Sequence, residues 1–119
     1  ALLLNLLDCV QMPLELLAET ARVLAAGAPA AFSSPYDWST TATPLGQWLG
    51  GHSQRSAGGG DSATELRRLL SADCAAGVDT GFVIETERDG VPWHLRTAAR
   101  STMAYSVHLA ALRRKPPAG

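Results

Sequence analysis

Two clusters of polar residues, each placed directly after a run of apolar residues, hold the side chains best suited to chemistry in this chain. The first is Asn5 to Asp8, after the run at residues 1–4, and the second is Ser33 to Trp38, after the run from Ala28 to Phe32. Together they supply an amide, two carboxylates, a phenol and an indole. Ligands of open α/β sheets bind beyond the carboxyl ends of the strands. If the two runs are neighbouring parallel strands, both clusters border one crevice.

Each of these residues also has a purely structural interpretation. Asp8 is equally well placed to cap the helix that follows it. Tyr36 and Trp38 could anchor their loop by burial instead of forming the wall of a site. The sequence leaves both interpretations open.

Further candidates lie later in the chain. Trp48, with the glycines at 50–51, could form the edge of a lid or a structural turn. His52 could titrate near neutral pH and act as a base, or lie on the surface. Arg96 and Arg100 could bind a ligand carboxylate through two hydrogen bonds, or lie on a solvated edge paired with a glutamate at 85 or 87. His108 is expected to pack rather than to react.

The elements that must position these residues can be predicted from the pattern of apolar residues. Residues 1–5 fit a strand buried on both faces, and Pro13 opens a helix that Gly27 ends. With the strand from Ala28, residues 1–33 form a strand–helix–strand crossover unit. Residues 34–61 form a long loop, interpreted as a substrate or lid loop whose glycine-rich end is a hinge.

The remaining residues, 62–113, are predicted to form a helix and the terminal strands. A capping box at residues 62–65 opens the helix. Residues 82–88 and 91–96 read as strands, and Asp89 and Gly90 as the turn between them. Residues 102–112 fit either a strand or a helix, and a strand is favoured. Residues 114–119 are expected to be a disordered tail.

The composition limits the classes of protein that remain. The chain has 119 residues, of which 46% are hydrophobic, and its formal net charge is −1, so we expect one near-neutral domain. No apolar run is long enough for a membrane span, and the two cysteines have neither disulfide-scaffold nor zinc-ligand spacing. The expected setting is therefore cytoplasmic, with no metal. All acidic residues lie at or before Asp89, so the residues that follow are basic overall. They do not form the dense basic patch interleaved with aromatic residues that would predict nucleic-acid binding.

Four motifs stand in order along the chain: Asn5-Leu-Leu-Asp8, Ser34-Pro-Tyr-Asp-Trp38, Thr43-Pro44 and Trp48-Leu-Gly-Gly51. In this order they resemble the second half of a class I S-adenosylmethionine-dependent methyltransferase, and the likeness continues through residues 91–96 and 105–113. More narrowly, the last three motifs are similar to the methyltransferase domain that accompanies ovothiol-forming sulfoxide synthases, the 4-mercaptohistidine N-methyltransferases, and to its bacterial relatives.

The resemblance implies an α/β fold: the C-terminal half of a Rossmann-like seven-stranded sheet, strands four to seven, with a β-hairpin at its end. The glycine-rich loop that holds the cofactor in this family cannot be placed, because Gly58 to Gly60 follow a loop rather than a strand. We therefore expect residues 1–119 to be a partial methyltransferase domain, either a fragment of a longer enzyme or a partial gene product.

The function implied is methyl transfer from S-adenosylmethionine, used as a co-substrate, to a nitrogen of a small imidazole or amino-acid-like acceptor. The alternative is a non-catalytic binding or structural module, and a homodimer or pairing through an exposed sheet edge is a possible assembly. The resemblance makes Asp8 and Tyr36 catalytic, with Asp8 able to orient the acceptor or accept its proton. It makes Asn5 and Leu6 cofactor-binding, and the substrate-binding residues are Asn5, Asp37, Trp38, Trp48, His52, Arg96 and Arg100.

Overall fold

Four strands and two helices position the two polar clusters in a computed structural model, which describes residues 1–56, 58–71 and 80–116. The elements are β1 (Leu2–Leu4), α1 (Pro13–Val23), β2 (Pro29–Ser34), α2 (Ser62–Leu69), β3 (Phe82–Ala98) and β4 (Ser101–Arg114). Short 3-10 turns occupy Leu7–Cys9 and Leu45–Gln47. The described part of the chain is thus mixed α/β.

The strands form one mixed sheet in the order β1-β2-β4-β3. β1 and β2 are parallel, with Leu3 opposite Phe32, and α1 connects them, so the predicted strand–helix–strand unit is present. β4 lies antiparallel between β2 and β3. The carboxyl ends of β1 and β2 therefore meet at the same edge of the sheet.

The core lies between one face of this sheet and the helices. Leu17 of α1 and Leu66 of α2 are fully buried there, together with Phe32 and Phe82 from the sheet. Both helices are amphipathic and direct their apolar side chains to this single cluster. Among the described residues, no helix is long and apolar enough to cross a bilayer.

The opposite face of the sheet is uncovered in the described part of the chain. Leu2 and Leu4 are 73% and 53% exposed, whereas Leu3 between them is 5% exposed. The prediction that β1 is buried on both faces is therefore wrong for these residues. Its continuous apolar run gave no alternation from which a one-sided strand could be recognised.

The terminal hairpin differs from its predicted form. Asp89 and Gly90 do not turn the chain: they form a bulge inside the long strand β3, where the register shifts between Arg88 and Val91. Gly90 has a φ of +69°, a conformation that glycine adopts without the steric cost of a side chain. The hairpin turns instead at residues 99–100.

Three smaller boundaries also shift. Asp61, rather than Ser62, caps α2, because its side chain accepts a hydrogen bond from Thr64 N. α1 ends at Val23, before Gly27. The predicted disordered tail starts too early, because residues 114 and 115 form backbone hydrogen bonds with residues 28 and 81. Residues 117–119 of that tail lie outside the described residues.

The two faces of the sheet should respond differently to truncation of a leucine. We expect Leu66→Ala to lower the free energy of unfolding by about 2–5 kcal/mol, because it leaves a cavity in the core. Leu4→Ala, the matched control on the open face, should change it by less than about 0.5 kcal/mol. Urea unfolding of both variants measures the difference, and equal losses would mean that the open face is covered in solution.

Candidate functional site

The two strand ends share an unusual backbone conformation. Asn5 follows β1 and Tyr36 follows β2, and each has a φ of +52°; they are the two non-glycine residues with positive φ in the described part of the chain. Asparagine tolerates this left-handed conformation, but it costs a bulky residue such as Tyr36 on the order of 1 kcal/mol or more, and there it persists only where surrounding contacts enforce it. Strain of this kind often marks a functional site, so the contacts that enforce it are informative.

Ser33 holds Asn5 in this conformation. The backbone N–H of Asn5 donates a hydrogen bond to the Ser33 carbonyl oxygen at 2.8 Å and also lies 3.1 Å from the Ser33 hydroxyl oxygen. The same hydroxyl donates to Asn5 Oδ1 at 3.0 Å. The Asn5 side chain is therefore tied to the neighbouring strand through its oxygen.

Asp8 joins the two strand ends. Its side chain is 4% exposed, and Oδ2 accepts a hydrogen bond from the Asp37 backbone N–H at 2.7 Å. Oδ1 has one partner among the described contacts, the weakly donating thiol of Cys9 at 3.6 Å. Burial and then the negative charge of Asp8 raise the pKa of the Cys9 thiol. Asp8 lies in a 3-10 turn and does not cap α1, so the structure does not support the capping interpretation.

A small cavity of about 130 Å³ lies at these strand ends. It brings together three of the predicted site residues, Asn5, Asp8 and Asp37. The remaining lining residues are Cys9, Pro35, Trp93 and Tyr105. Two carboxylates and two aromatic side chains thus meet in a space that suits a small polar ligand.

The hairpin of β3 and β4 supplies the aromatic side chains. β2 pairs with β4 only as far as His108, so the outer hairpin projects beyond the carboxyl end of β2. Trp93 and Tyr105 are cross-strand partners there, with ring centroids 5.0 Å apart and planes at 24°. Partial burial, followed by the charge of Asp37, raises the pKa of Tyr105. Sequence reasoning missed this pair, because pairing across a long hairpin depends on a register that residue types do not specify.

Tyr36 points to the other side of its strand end. Its side chain does not line the cavity; instead its hydroxyl lies 2.7 Å from Nδ1 of His108. Nε2 of His108 lies 2.6 Å from Glu87 Oε2, and Glu87 Oε1 accepts a hydrogen bond from Arg67 Nε at 2.8 Å. The carboxylate favours the proton on Nε2, so Nδ1 accepts a hydrogen bond from the Tyr36 hydroxyl.

Burial is the main reason that Tyr36 stays protonated in this chain of four side chains. Burial, followed by the nearby charge of Asp89, raises the pKa of Tyr36 far above its ordinary value. Its phenol therefore remains protonated and acts as a donor at neutral pH. Burial opposes ionisation of Glu87, but hydrogen bonds from His108 and Arg67 outweigh it and lower its pKa. His108, expected to pack, is indeed buried, and it also carries this network.

Trp38 and Trp48 continue from Tyr36 as an aromatic ladder. The Trp38 ring stacks between Tyr36 and Trp48, at centroid distances of 6.4 and 6.3 Å. Trp38 Nε1 donates to the Ser62 hydroxyl at 2.7 Å, which donates in turn to the Leu49 carbonyl oxygen. This packing matches the loop-anchoring interpretation of Tyr36 and Trp38. The Ser62 hydroxyl binds this loop and does not cap α2.

Four other predicted residues lie away from the cavity. Leu6, His52, Arg96 and Arg100 are all exposed and do not line it. The Arg96 guanidinium donates to the carbonyl oxygens of residues 98 and 99 and so caps the hairpin turn. The glutamates weighed as its partners bind elsewhere, since Glu85 pairs with Arg113 and residue 87 with residue 67. Binding roles for these four residues remain predictions.

The glycines of the predicted lid and hinge have a structural cause. A Cβ on Gly58 would lie 2.5 Å from the Gly50 Cα, and a Cβ on Gly50 would lie 2.8 Å from the Asp61 carbonyl oxygen, so both positions require glycine. Trp48, Gly50 and Gly58 line a separate space with Glu65 and Arg68 of α2. Residue 57 lies outside the described residues.

In comparisons with known proteins, no family model and no curated protein matches this chain. Its function therefore has to follow from the geometry of the strand ends.

The lowered pKa of Glu87 makes stability depend on pH. Because its folded-state pKa lies below the unfolded value, the stabilisation is complete above pH of about 4.5 and is lost as the pH falls through the folded-state pKa. We expect the free energy of unfolding of Glu87→Gln to fall less steeply than that of the wild type as the pH is lowered. Urea titrations from pH 3 to 7 test this, with the exposed Glu15→Gln as control. An equally steep fall in Glu87→Gln would remove this carboxylate from the network.

Tyr36→Phe tests the other end of the network. The substitution keeps the ring but leaves Nδ1 of the buried His108 without its partner, so we expect a loss of about 1–3 kcal/mol in the free energy of unfolding. Ser106→Ala, at an exposed position of β4, should change it by less than about 0.5 kcal/mol. If Tyr36→Phe costs no more than this control, the hydroxyl does not hold the loop.

Proposed function

We propose that the chain takes part in methyl transfer from S-adenosylmethionine to a nitrogen of a small imidazole or amino-acid-like acceptor. The observation that carries this proposal is the cavity at the carboxyl ends of β1 and β2, which Asp8 and Asp37 both line and where Asp8 accepts a hydrogen bond from the Asp37 backbone N–H. In an open α/β sheet this edge is where ligands bind. The lining residues Asn5, Asp8, Pro35 and Asp37 belong to the motifs that resemble a methyltransferase.

The sheet supports the same proposal. A parallel pair joined by a helix and extended by an antiparallel hairpin is compatible with the last four strands of a Rossmann-like seven-stranded sheet. We therefore propose that β1 to β4 correspond to strands four to seven of such a sheet. The uncovered face and the outer edge of β1 fit a sheet that continues in another segment or chain.

Only part of the methyl donor fits the described residues. The cavity, at about 130 Å³, is smaller than the ~300–1,000 Å³ of pockets that enclose whole ligands, so it suits the sulfonium end and the acceptor atom. Asn5 and Leu6 would border the donor. No glycine-rich turn joins a strand to a helix in the described ranges, which therefore offer no cradle for the adenosine. When bound, S-adenosylmethionine supplies a methyl group on a positively charged sulfur.

The chain's residues would orient the acceptor and take up its proton. Oδ1 of Asp8 has room for a proton from the acceptor nitrogen, since a thiol is its one described partner. The Asn5 amide, fixed through Oδ1, can donate from Nδ2 to an acceptor atom. Tyr36 acts as a positioning residue in this proposal, because its loop aims the Asp37 N–H at Asp8. The reduced Cys9 fits a cytoplasmic setting.

The open face of the sheet favours a second candidate, a non-catalytic binding or structural module. Leu2, Leu4 and Leu109 expose apolar side chains on this face, and apolar surface of this kind often marks an interface. A homodimer or pairing along the outer edge of β1 would serve this function. Light scattering of the purified chain measures its oligomeric state.

Calorimetry with two donor analogues tests the methyl-transfer proposal. S-adenosylhomocysteine lacks only the transferable methyl group and the positive charge on sulfur, so the carboxylates should favour S-adenosylmethionine over it. We expect Asp8→Asn to reduce that preference by about tenfold, a difference of roughly 1.4 kcal/mol. Mass spectrometry of candidate acceptors should show methylated product that this variant forms more slowly.

Glu15→Gln is the matched control, since it removes one negative charge from an exposed position outside the cavity and outside the Tyr36 network. It should retain the preference for the sulfonium ligand. An Asp8→Asn variant that keeps the full preference would show that the sulfonium does not lie beside Asp8. If neither ligand binds the chain while light scattering shows a defined dimer, the structural module becomes the better account.

A further inference from the structure

The outer hairpin gives the cavity a chemical character that the methyl-transfer proposal does not require. Trp93 and Tyr105 stack across the hairpin and form one wall. Asp8 and Asp37 contribute carboxylates from the strand ends. Aromatic faces and carboxylates both attract positive charge, the first through their quadrupole and the second through their full charge.

The lining contains no group that would neutralise these carboxylates. Asn5, Cys9 and Pro35 complete it, and none of the lining residues is a lysine, an arginine or a histidine. Asp8 is 4% exposed, and its Oδ1 has only the weak thiol contact described above. A buried carboxylate oxygen with so weak a partner is expensive, and an arriving cation would stabilise it.

The volume limits the size of the cation. About 130 Å³ is small beside the ~300–1,000 Å³ of pockets that enclose whole ligands. A cation of a few heavy atoms therefore suits this space. A hydrated metal ion would not use the aromatic wall, whereas a weakly hydrated organic cation of this size would lie against it.

We propose that this cavity binds a small organic cation of the methylated-ammonium class, with Trp93 and Tyr105 as its aromatic wall and Asp8 and Asp37 as its counter-charges. In the proposed function the cation would be the charged nitrogen group of the acceptor or product. Binding of the cation needs no methyl donor, so it also applies to a non-catalytic module.

Tetramethylammonium is the direct probe, with tert-butanol as a neutral molecule of similar shape. NMR titration of the purified chain should show saturable shifts at the Trp93 indole N–H with tetramethylammonium. Binding should be about tenfold or more tighter than that of tert-butanol, because only the cation gains from the rings and carboxylates. Equal binding of the two probes would overturn the proposal.

Substitutions in the wall and at the charges locate the site. Trp93→Ala should weaken tetramethylammonium binding by about tenfold, and Asp37→Asn by about threefold to tenfold. Tyr105→Phe keeps the ring and should stay within about threefold of the wild-type affinity. Leu95→Ala is the matched control, because Leu95 occupies the next exposed pair of the same hairpin, opposite Met103, outside the cavity.

The variants also keep the two proposals separate. Circular dichroism checks that Trp93→Ala folds. If this variant does not fold, Asp37→Asn tests the site instead, because Asp37 is exposed. An unchanged affinity of Asp37→Asn for tetramethylammonium would contradict the site. Loss of tetramethylammonium binding in Leu95→Ala to the same extent as in Trp93→Ala would also contradict it. Binding of tetramethylammonium without binding of S-adenosylmethionine overturns methyl transfer alone, and the reverse overturns the cation site alone.

Discussion

A buried carboxylate bridges the two parallel strands at the edge where they end. Burial of the Asp8 carboxylate is costly unless hydrogen bonds replace those that it makes with water. The backbone N–H of Asp37 donates such a hydrogen bond. That N–H reaches Asp8 only because Tyr36 adopts a left-handed backbone conformation one residue earlier. The electrostatic requirement of one side chain thus accounts for the strained backbone of the adjacent loop, and both shape the same small cavity.

Side-chain hydrogen bonds on the other side of the sheet edge stabilise the strained conformation of Tyr36. His108 holds the phenol, Glu87 holds the imidazole and Arg67 holds Glu87, so β4, β3 and α2 converge on one loop residue. Such a network is stabilising only when every member is satisfied. Here each polar group has a partner, and no buried side-chain nitrogen or oxygen in the described residues lacks one. Side-chain hydrogen bonds therefore hold the loop in place beside the cavity.

The elements could be predicted from the sequence more completely than their pairing. Local patterns indicate both helices and the parallel pair, and they place Asn5, Asp8 and Asp37 at the strand ends, because apolar periodicity and chain direction are local properties. The aromatic wall could not be predicted, since the pairing of Trp93 with Tyr105 depends on a bulge that resembles a turn in sequence. The one-sided burial of β1 was equally inaccessible, because it depends on where the helices pack.

The bulge in β3 also has a geometric consequence. Side chains of a strand alternate between its faces, so the bulge sets the face that the following residues of β3 present, up to the next register shift after Arg96. If the bulge were straightened with both of its residues retained, the later pairs would shift by one residue, and the indole of Trp93 would turn to the reverse side although the composition of the hairpin would not change. The shape of the backbone at this point, as much as the identity of the residues, therefore decides whether the strand ends have an aromatic neighbour.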